Sequence, residues 1–135
     1  MARSFLIGIE ANPTGLCEWQ TIKGWLEASN RRGEGDLLGP HDVVWIARQF
    51  DGVPPVAWAV GACTAALSAD GRSIIVGDLG GKGRAWIAPL LDRLMAWARD
   101  EGAVEVRARC RPGWQRILPA LGCERDGDDF VRKLP

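Results

Sequence analysis

The residues best suited to chemistry in this sequence form a glycine-rich turn, residues 80–85, between an apolar run and an amphipathic segment. A turn of this kind that leads into a helix presents backbone N–H groups and the positive end of the helix dipole, which suits a pyrophosphate. Lys82 and Arg84 would add positive charge at its mouth. The alternative is structural, because glycines also let a strand turn tightly into a helix. Both interpretations stay open on these residues alone.

Two familiar phosphate-binding patterns do not fit this turn. A Walker A loop needs glycine where Val76 stands and Ser or Thr where Gly83 stands. The dinucleotide fingerprint fails because Trp86 occupies the position of its third glycine. The pattern R/Q-x-x-G-x-G/A does fit at its last two signature positions, Gly83 and Ala85, although Gly80 replaces the leading Arg or Gln.

Hydrophobic periodicity predicts the elements that must position the turn. Helices are expected at residues 17–28, over the apolar stripe that begins at Ile87 and ends at Ala98, and at 112–122. Strands are expected at 4–9, 43–50, 56–67, 73–79 and 104–110, with a last strand or hairpin within 123–134. Residues 30–40 are predicted to be a loop. This order predicts an α/β (α+β) fold, with a mixed, mostly antiparallel sheet and helices on both faces.

The helix after the turn contains Pro89, which cannot donate a backbone hydrogen bond. A helix that began at Gly83 would therefore lose the bond that residue 89 should make. The sequence predicts either that the helix begins a few residues later or that it kinks in its first turns.

Composition limits the classes of function. The 135 residues carry 17 basic and 17 acidic side chains, which predicts one globular domain over residues 1–135 and disfavours nucleic acid as a partner. The balance is uneven, since eleven basic and eight acidic residues follow from Lys82 onwards, against six and nine before it. Four cysteines without a CxxC pair, and one histidine, predict no metal site and a reducing, cytoplasmic location. No stretch predicts a signal peptide or a membrane span.

The segments around the turn resemble the GNAT (GCN5-related N-acetyltransferase) superfamily. VWIARQFDG at 44–52 and VAWAVG at 56–61 look like the family's second and third strands. LLDRLMAWARDEGA at 90–103 is similar to its central helix, and ILPALGC at 117–123 to its last helix. In that family R/Q-x-x-G-x-G/A is the acyl-coenzyme A loop. The resemblance covers roughly residues 43–134, and the segment before them fits only by the order of elements.

The resemblance implies acetyl-CoA as co-substrate, an amine acceptor and no metal. It implies that the coenzyme binds Leu79, Gly80, Gly81, Lys82, Gly83, Arg84 and Ala85. The backbone N–H of Leu79 would stabilise the oxyanion, and Asp78 would be the general base, with Glu10 as the other candidate. The family's acid is a tyrosine about where Leu118 stands, and this sequence has no tyrosine. Cys110 or Cys123 is the alternative acid, if neither is simply a core residue.

Three functions remain open at this stage: an acyl-CoA-dependent N-acyltransferase, a GNAT-like binding or assembly module without activity, and a nucleobase-modifying enzyme. The neutral net charge disfavours the third, and a homodimer also stays open. Several other side chains have both a functional and a structural interpretation. They are His41 as a base, Trp19, Trp25 and Trp45 in an acceptor groove, Arg107, Arg109 and Arg111 as a basic edge, and Asp126, Asp128 and Asp129 as cation ligands.

Overall fold

The computed structural model describes residues 4–10, 13–29, 43–51, 56–108, 116–127 and 129–135. Seven strands in these residues form one mixed sheet in the order β1-β2-β3-β4-β5-β7-β6. Neighbouring strands are antiparallel, except that β4 and β5 are parallel. The strands are β1 (Ser4–Glu10), β2 (Val43–Asp51), β3 (Val56–Leu67), β4 (Ser73–Gly81), β5 (Glu105–Ala108), β6 (Glu124–Asp126) and β7 (Asp129–Lys133). The mixed, mostly antiparallel sheet predicted from the sequence is confirmed.

Two helices pack on opposite faces of this sheet, α1 (Trp19–Ser29) and α2 (Ile87–Asp100). Successive strand residues point to opposite faces, so Val44 and Ile46 contact α1 while Trp45 and Ala47 belong to the core under α2. The stripe predicted for α2 is buried, as expected for an amphipathic helix: Ile87, Leu90, Leu91, Leu94 and Ala98. The predicted helices on both faces are confirmed.

Helix α2 begins at Ile87, four residues after Gly83. Pro89 is therefore its third residue, where a backbone N–H has no acceptor within the helix, and the proline costs no hydrogen bond. The prediction of a later start is confirmed. At the other end Gly102 has a φ of 76° and donates to the carbonyl of Arg99, which closes the helix.

The C-terminal part differs in detail from the sequence prediction. The described part of the helix expected at 112–122 is a 3-10 helix, Leu118–Leu121, ended by Gly122 at a φ of 84°. Pro119 cannot donate the bond that an α-helix needs, which favours the tighter and shorter form. The final segment forms the β6–β7 hairpin, one of the two forms expected. Val104, the first residue of the strand expected at 104–110, lies outside β5 and is exposed.

Candidate functional site

Within the described residues, one side of β4 has no paired strand directly before the glycine-rich turn, and we name this side the opening. The described pairing of β4 with β5 runs from Ser73 and Glu105 to Val76 and Ala108. Strand β4 continues to Gly81, and within the described residues this part pairs with β3 alone. The opening therefore borders the strand that carries Asp78 and Leu79.

Strand geometry gives the direction of the Leu79 N–H. The N–H of Asp78 donates to Oγ1 of Thr64 on β3 at 2.9 Å, and that of Lys82 donates to the carbonyl of Val60 on β3 at 2.7 Å. Alternate N–H groups of a strand point to the same side. The N–H of Leu79 consequently points away from β3, towards the side of β4 that has no paired strand within the described residues.

Close packing accounts for the first two glycines of the turn. A Cβ at Gly80 would lie 2.6 Å from the carbonyl oxygen of Trp25 in α1. A Cβ at Gly81 would collide with the backbone of Val60 and Gly61 and lie 2.9 Å from the Trp86 ring. Both positions exclude a side chain, so the structural interpretation of Gly80 and Gly81 is supported. The N–H of Lys82 is also used within the fold, so this residue can act on a ligand through its exposed side chain.

The remaining part of the turn faces solvent. Gly83 has a φ of 70° and open space around its Cα. No hydrogen bond within the described residues has the N–H of Gly83, Arg84 or Ala85 as its donor. These N–H groups directly precede the first turn of α2, whose dipole is positive there. The exposed side chains of Lys82 and Arg84 add charge, and together these groups can bind a phosphate.

The two candidate bases lie in different strands of the sheet, Glu10 in β1 and Asp78 in β4. Glu10 lies in one row across it, through Val44 and Thr64, to the irregularity in β4 that contains Asp78. Three strand spacings amount to roughly 14 Å, whereas Asp78 directly precedes Leu79. Since Leu79 faces α2 and Gly80 faces α1, alternation places the half-buried Asp78 side chain on the α1 face. Proximity to the Leu79 N–H therefore favours Asp78 over Glu10 as the candidate base.

An apolar cavity of about 30 Å³ lies between α2 and the sheet. Its lining includes Leu79, Leu118 and Cys123. Leu118 is buried and has no proton to donate. Burial raises the pKa of the Cys123 thiol, and the charge of Arg132 lowers it by a smaller amount. Among the described residues, the lining thus supplies no proton donor stronger than a thiol.

Several other candidates are engaged in the fold. Arg107 contacts three carboxylates, those of Glu105 at 3.0 Å, Asp126 at 2.8 Å and Asp129 at 3.1 Å, and these contacts raise its pKa. This cluster joins β5, β6 and β7, which supports the structural interpretation of Arg107 and of both aspartates. Trp45 is buried in the core, while Trp19 and Trp25 are half-buried residues of α1. Residues 30–40, His41, Arg109, Cys110, Arg111 and Asp128 lie outside the described residues.

Among the described residues, no group of three or more His, Cys, Asp or Glu side chains could hold a metal ion. No helix in the same part of the chain is long and apolar enough to cross a bilayer. Within the described residues, Cys17, Cys63 and Cys123 form no disulfide bond, and Cys63 is buried in the core, as its strand position predicts.

Trp86 is the residue of this site that the sequence did not reveal. It served there only to exclude the dinucleotide fingerprint, yet its buried ring packs against Gly61 and Gly81, and its indole N–H donates to the turn. A signal was present, because Gly61 interrupts an otherwise apolar strand, and a glycine within a strand often marks a close approach of another group.

Solved acetyltransferases share this architecture. Aminoglycoside 6'-acetyltransferase type Ii has a TM-score of 0.65 at 12% identity over 96% of this chain and 98% of its own. Aminoglycoside N-acetyltransferase AAC(6')-Iy, in complex with CoA, has 0.64 at 19% over 93% and 91%. Tetrahymena GCN5 has 0.64 at 8% over 100% and 97%. No family model and no curated protein matches the sequence. The chain has the fold of the GNAT acetyltransferases.

Proposed function

We propose that this protein is an acyl-CoA-dependent N-acyltransferase whose turn at residues 83–85 binds the coenzyme's pyrophosphate. The carrying observation is the set of solvent-facing N–H groups of Gly83, Arg84 and Ala85 at the start of α2, beside the opening of the sheet. The excess of basic residues from Lys82 onwards gives this part of the chain a net positive charge, which favours a phosphate-rich ligand. The co-substrate is acetyl-CoA or another acyl-CoA, and the acceptor is an amine.

In the proposed reaction the amine nitrogen attacks the thioester carbonyl carbon. The carbonyl oxygen becomes an oxyanion next to the Leu79 N–H, and a proton leaves the nitrogen for the Asp78 carboxylate. The carbon–sulfur bond then breaks, which leaves an amide and the coenzyme thiolate. With a pKa near 8.5 a thiol can leave as its thiolate at neutral pH, so Leu118 in place of a tyrosine is compatible with transfer.

The second candidate function is a GNAT-like module that binds acyl-CoA or a protein without transferring the acyl group. It is favoured by Leu118, which is buried beside Leu79 and cannot act as an acid, and by Gly80 in place of the leading Arg or Gln. The nucleobase-modifying alternative remains disfavoured by the neutral net charge. The single domain, the cytoplasmic location and the homodimer stay predictions.

The release of free thiol from acetyl-CoA distinguishes these functions. The protein would be incubated with acetyl-CoA and a panel of amines that contains a polyamine, an aminosugar and a lysine peptide, and products would be identified by mass spectrometry. We expect thiol release that depends on at least one amine, with one acetyl group added to it. Binding of acetyl-CoA without release for any amine class would favour the inactive module. No binding at millimolar acetyl-CoA would contradict both.

A further inference from the structure

We infer that Trp86 is a positioning residue that turns the N–H groups of Gly83 and Arg84 outwards, towards the coenzyme's pyrophosphate. The inference rests on the proposed function and extends it to a side chain that does not itself contact the ligand. Trp86 is 1% exposed, so its ring is part of the core. Its Nε1 lies 3.0 Å from the carbonyl oxygen of Lys82 and 3.1 Å from that of Gly83.

Peptide geometry shows which way the N–H groups of the turn point when the indole makes these two hydrogen bonds. In a trans peptide the C=O of one residue and the N–H of the next point in opposite directions. The Lys82 carbonyl shares its peptide with the Gly83 N–H, and the Gly83 carbonyl shares its peptide with the Arg84 N–H. Because the buried indole holds both carbonyls inwards, both N–H groups face outwards, where no described group accepts from them.

Two glycines leave the space in the β3–β4 ladder that the Trp86 ring occupies. A Cβ at Gly61 would overlap the Trp86 ring, and one at Gly81 would lie 2.9 Å from its Cζ2. These glycines face each other in the β3–β4 ladder. Because neither glycine has a side chain, the indole can reach under the turn. The positive φ of Gly83 lets the chain fold over the ring.

Trp86→Phe tests the inference because it keeps an aromatic ring and removes the N–H. Trp45→Phe is the matched control, since Trp45 is also buried and its Nε1 has no acceptor among the described residues. Affinity for CoA would be measured by calorimetry well below both melting temperatures, and the kinetics of acyl transfer would be measured on the same proteins. We expect Trp86→Phe to weaken CoA binding about 5- to 30-fold and to raise the KM for acyl-CoA at nearly unchanged kcat. Trp45→Phe should bind CoA within about twofold of the wild type.

The outcomes separate the inference from the proposed function. Wild-type protein that binds no CoA would overturn the proposed function and the inference with it. Wild-type protein that binds CoA while Trp86→Phe binds it equally well would overturn the inference alone. If Trp86→Phe does not fold, nitrogen-15 spectra of the wild type decide. The inference predicts that the Trp86 indole hydrogen exchanges slowly and that CoA shifts the amides of Gly83 and Arg84, and unshifted amides would overturn it.

Discussion

Asp78 and Leu79 are neighbours in β4, and the proposed reaction gives them different tasks. The Leu79 side chain lines the cavity on the α2 face, its N–H points away from β3, and Asp78 faces the α1 side. The proposed base and the proposed oxyanion donor, on consecutive residues, can therefore approach one carbonyl centre from two directions. The proposed reaction needs this arrangement, because the attacking nitrogen and the carbonyl oxygen lie on different sides of the reacting carbon.

Replacement of this base gives the first prediction. Asp78→Asn removes the proton acceptor, and we expect kcat to fall about 10²- to 10⁴-fold while the KM for acyl-CoA stays within about twofold. Glu10→Gln is the matched control, since Glu10 lies on the same row of the sheet three strands away. Initial rates of thiol release measure both. Wild-type kcat in Asp78→Asn would exclude Asp78 as the base.

The buried thiol of Cys123 predicts a pH dependence of stability. Burial raises the thiol pKa in the folded state, so its contribution to stability is complete below the ordinary thiol pKa of about 8.5 and is lost as pH rises through the folded value. Cys123→Ala removes this contribution. The difference in unfolding free energy between wild type and Cys123→Ala, from urea titrations, should therefore narrow between about pH 7.5 and 10. A difference in unfolding free energy that stays constant with pH would show that burial does not raise the pKa of this thiol.

At the scale of elements, Glu18 joins the start of α1 to an irregular part of the sheet. The register of β2 and β3 shifts between Ala47 and Arg48, which leaves Val60 as an extra residue in β3. Oε2 of Glu18 accepts from the N–H of Ala59 at 2.7 Å, and Oε1 lies 3.5 Å from Arg48. The carboxylate thus satisfies the backbone beside the bulge and fixes α1 against the sheet.

Glu18→Ala should consequently destabilise the fold. It leaves the half-buried Ala59 N–H without its acceptor, and we expect a loss of about 1–3 kcal/mol in unfolding free energy. Glu27→Ala is the control, because Glu27 is exposed and, among the described residues, makes only an i,i+4 ion pair with Lys23, for which we expect a change of less than about 0.5 kcal/mol. Urea denaturation measures both variants. Equal losses would refute a special role for Glu18 at the bulge.

Sequence patterns predicted the elements well where burial determines periodicity. The stripe from Ile87 to Ala98 indicated α2, and Pro89 limited it to a late start or an early kink, because both signals are local along the chain. The packing of the Trp86 ring was not predictable in this way. It requires that Gly61 and Gly81, twenty residues apart, pair across two strands. The ion pairs of Arg107 with Asp126 and Asp129 depend in the same way on pairing of distant strands.

At the scale of the whole molecule, the two edges of the sheet differ in character. The outer edge of β6 carries three exposed residues, Glu124, Arg125 and Asp126, and charge on an edge discourages strand pairing. The opposite edge strand, β1, has no basic residue, and its Leu6 and Ile9 are 59% and 49% exposed. Antiparallel pairing of two copies about Ile7 would place Leu6 beside Gly8 of the partner subunit. Such pairing is one way to form the homodimer that the sequence left open.

Leu6→Lys tests that interface, because a charge on an exposed edge opposes pairing. Light scattering on the wild type should give twice the 14.7 kDa mass of one chain, and Leu6→Lys should give the single-chain mass. Val104→Lys, at an exposed apolar position outside β1, should remain dimeric. A monomeric wild type, or a dimeric Leu6→Lys, would exclude a dimer formed through β1.

The central claim is that residues 83–85 bind the pyrophosphate of an acyl-CoA, and calorimetric titration with acetyl-CoA tests it most directly. Gly83→Asp places a negative charge among the phosphate-facing N–H groups. Gly71→Asp is the control for backbone strain, because Gly71 has a φ of 72° and equally open space at the other end of β4. The account predicts that the wild type and Gly71→Asp bind acetyl-CoA and that Gly83→Asp does not. Absence of binding by the wild type at millimolar ligand, or undiminished binding by Gly83→Asp, would contradict it.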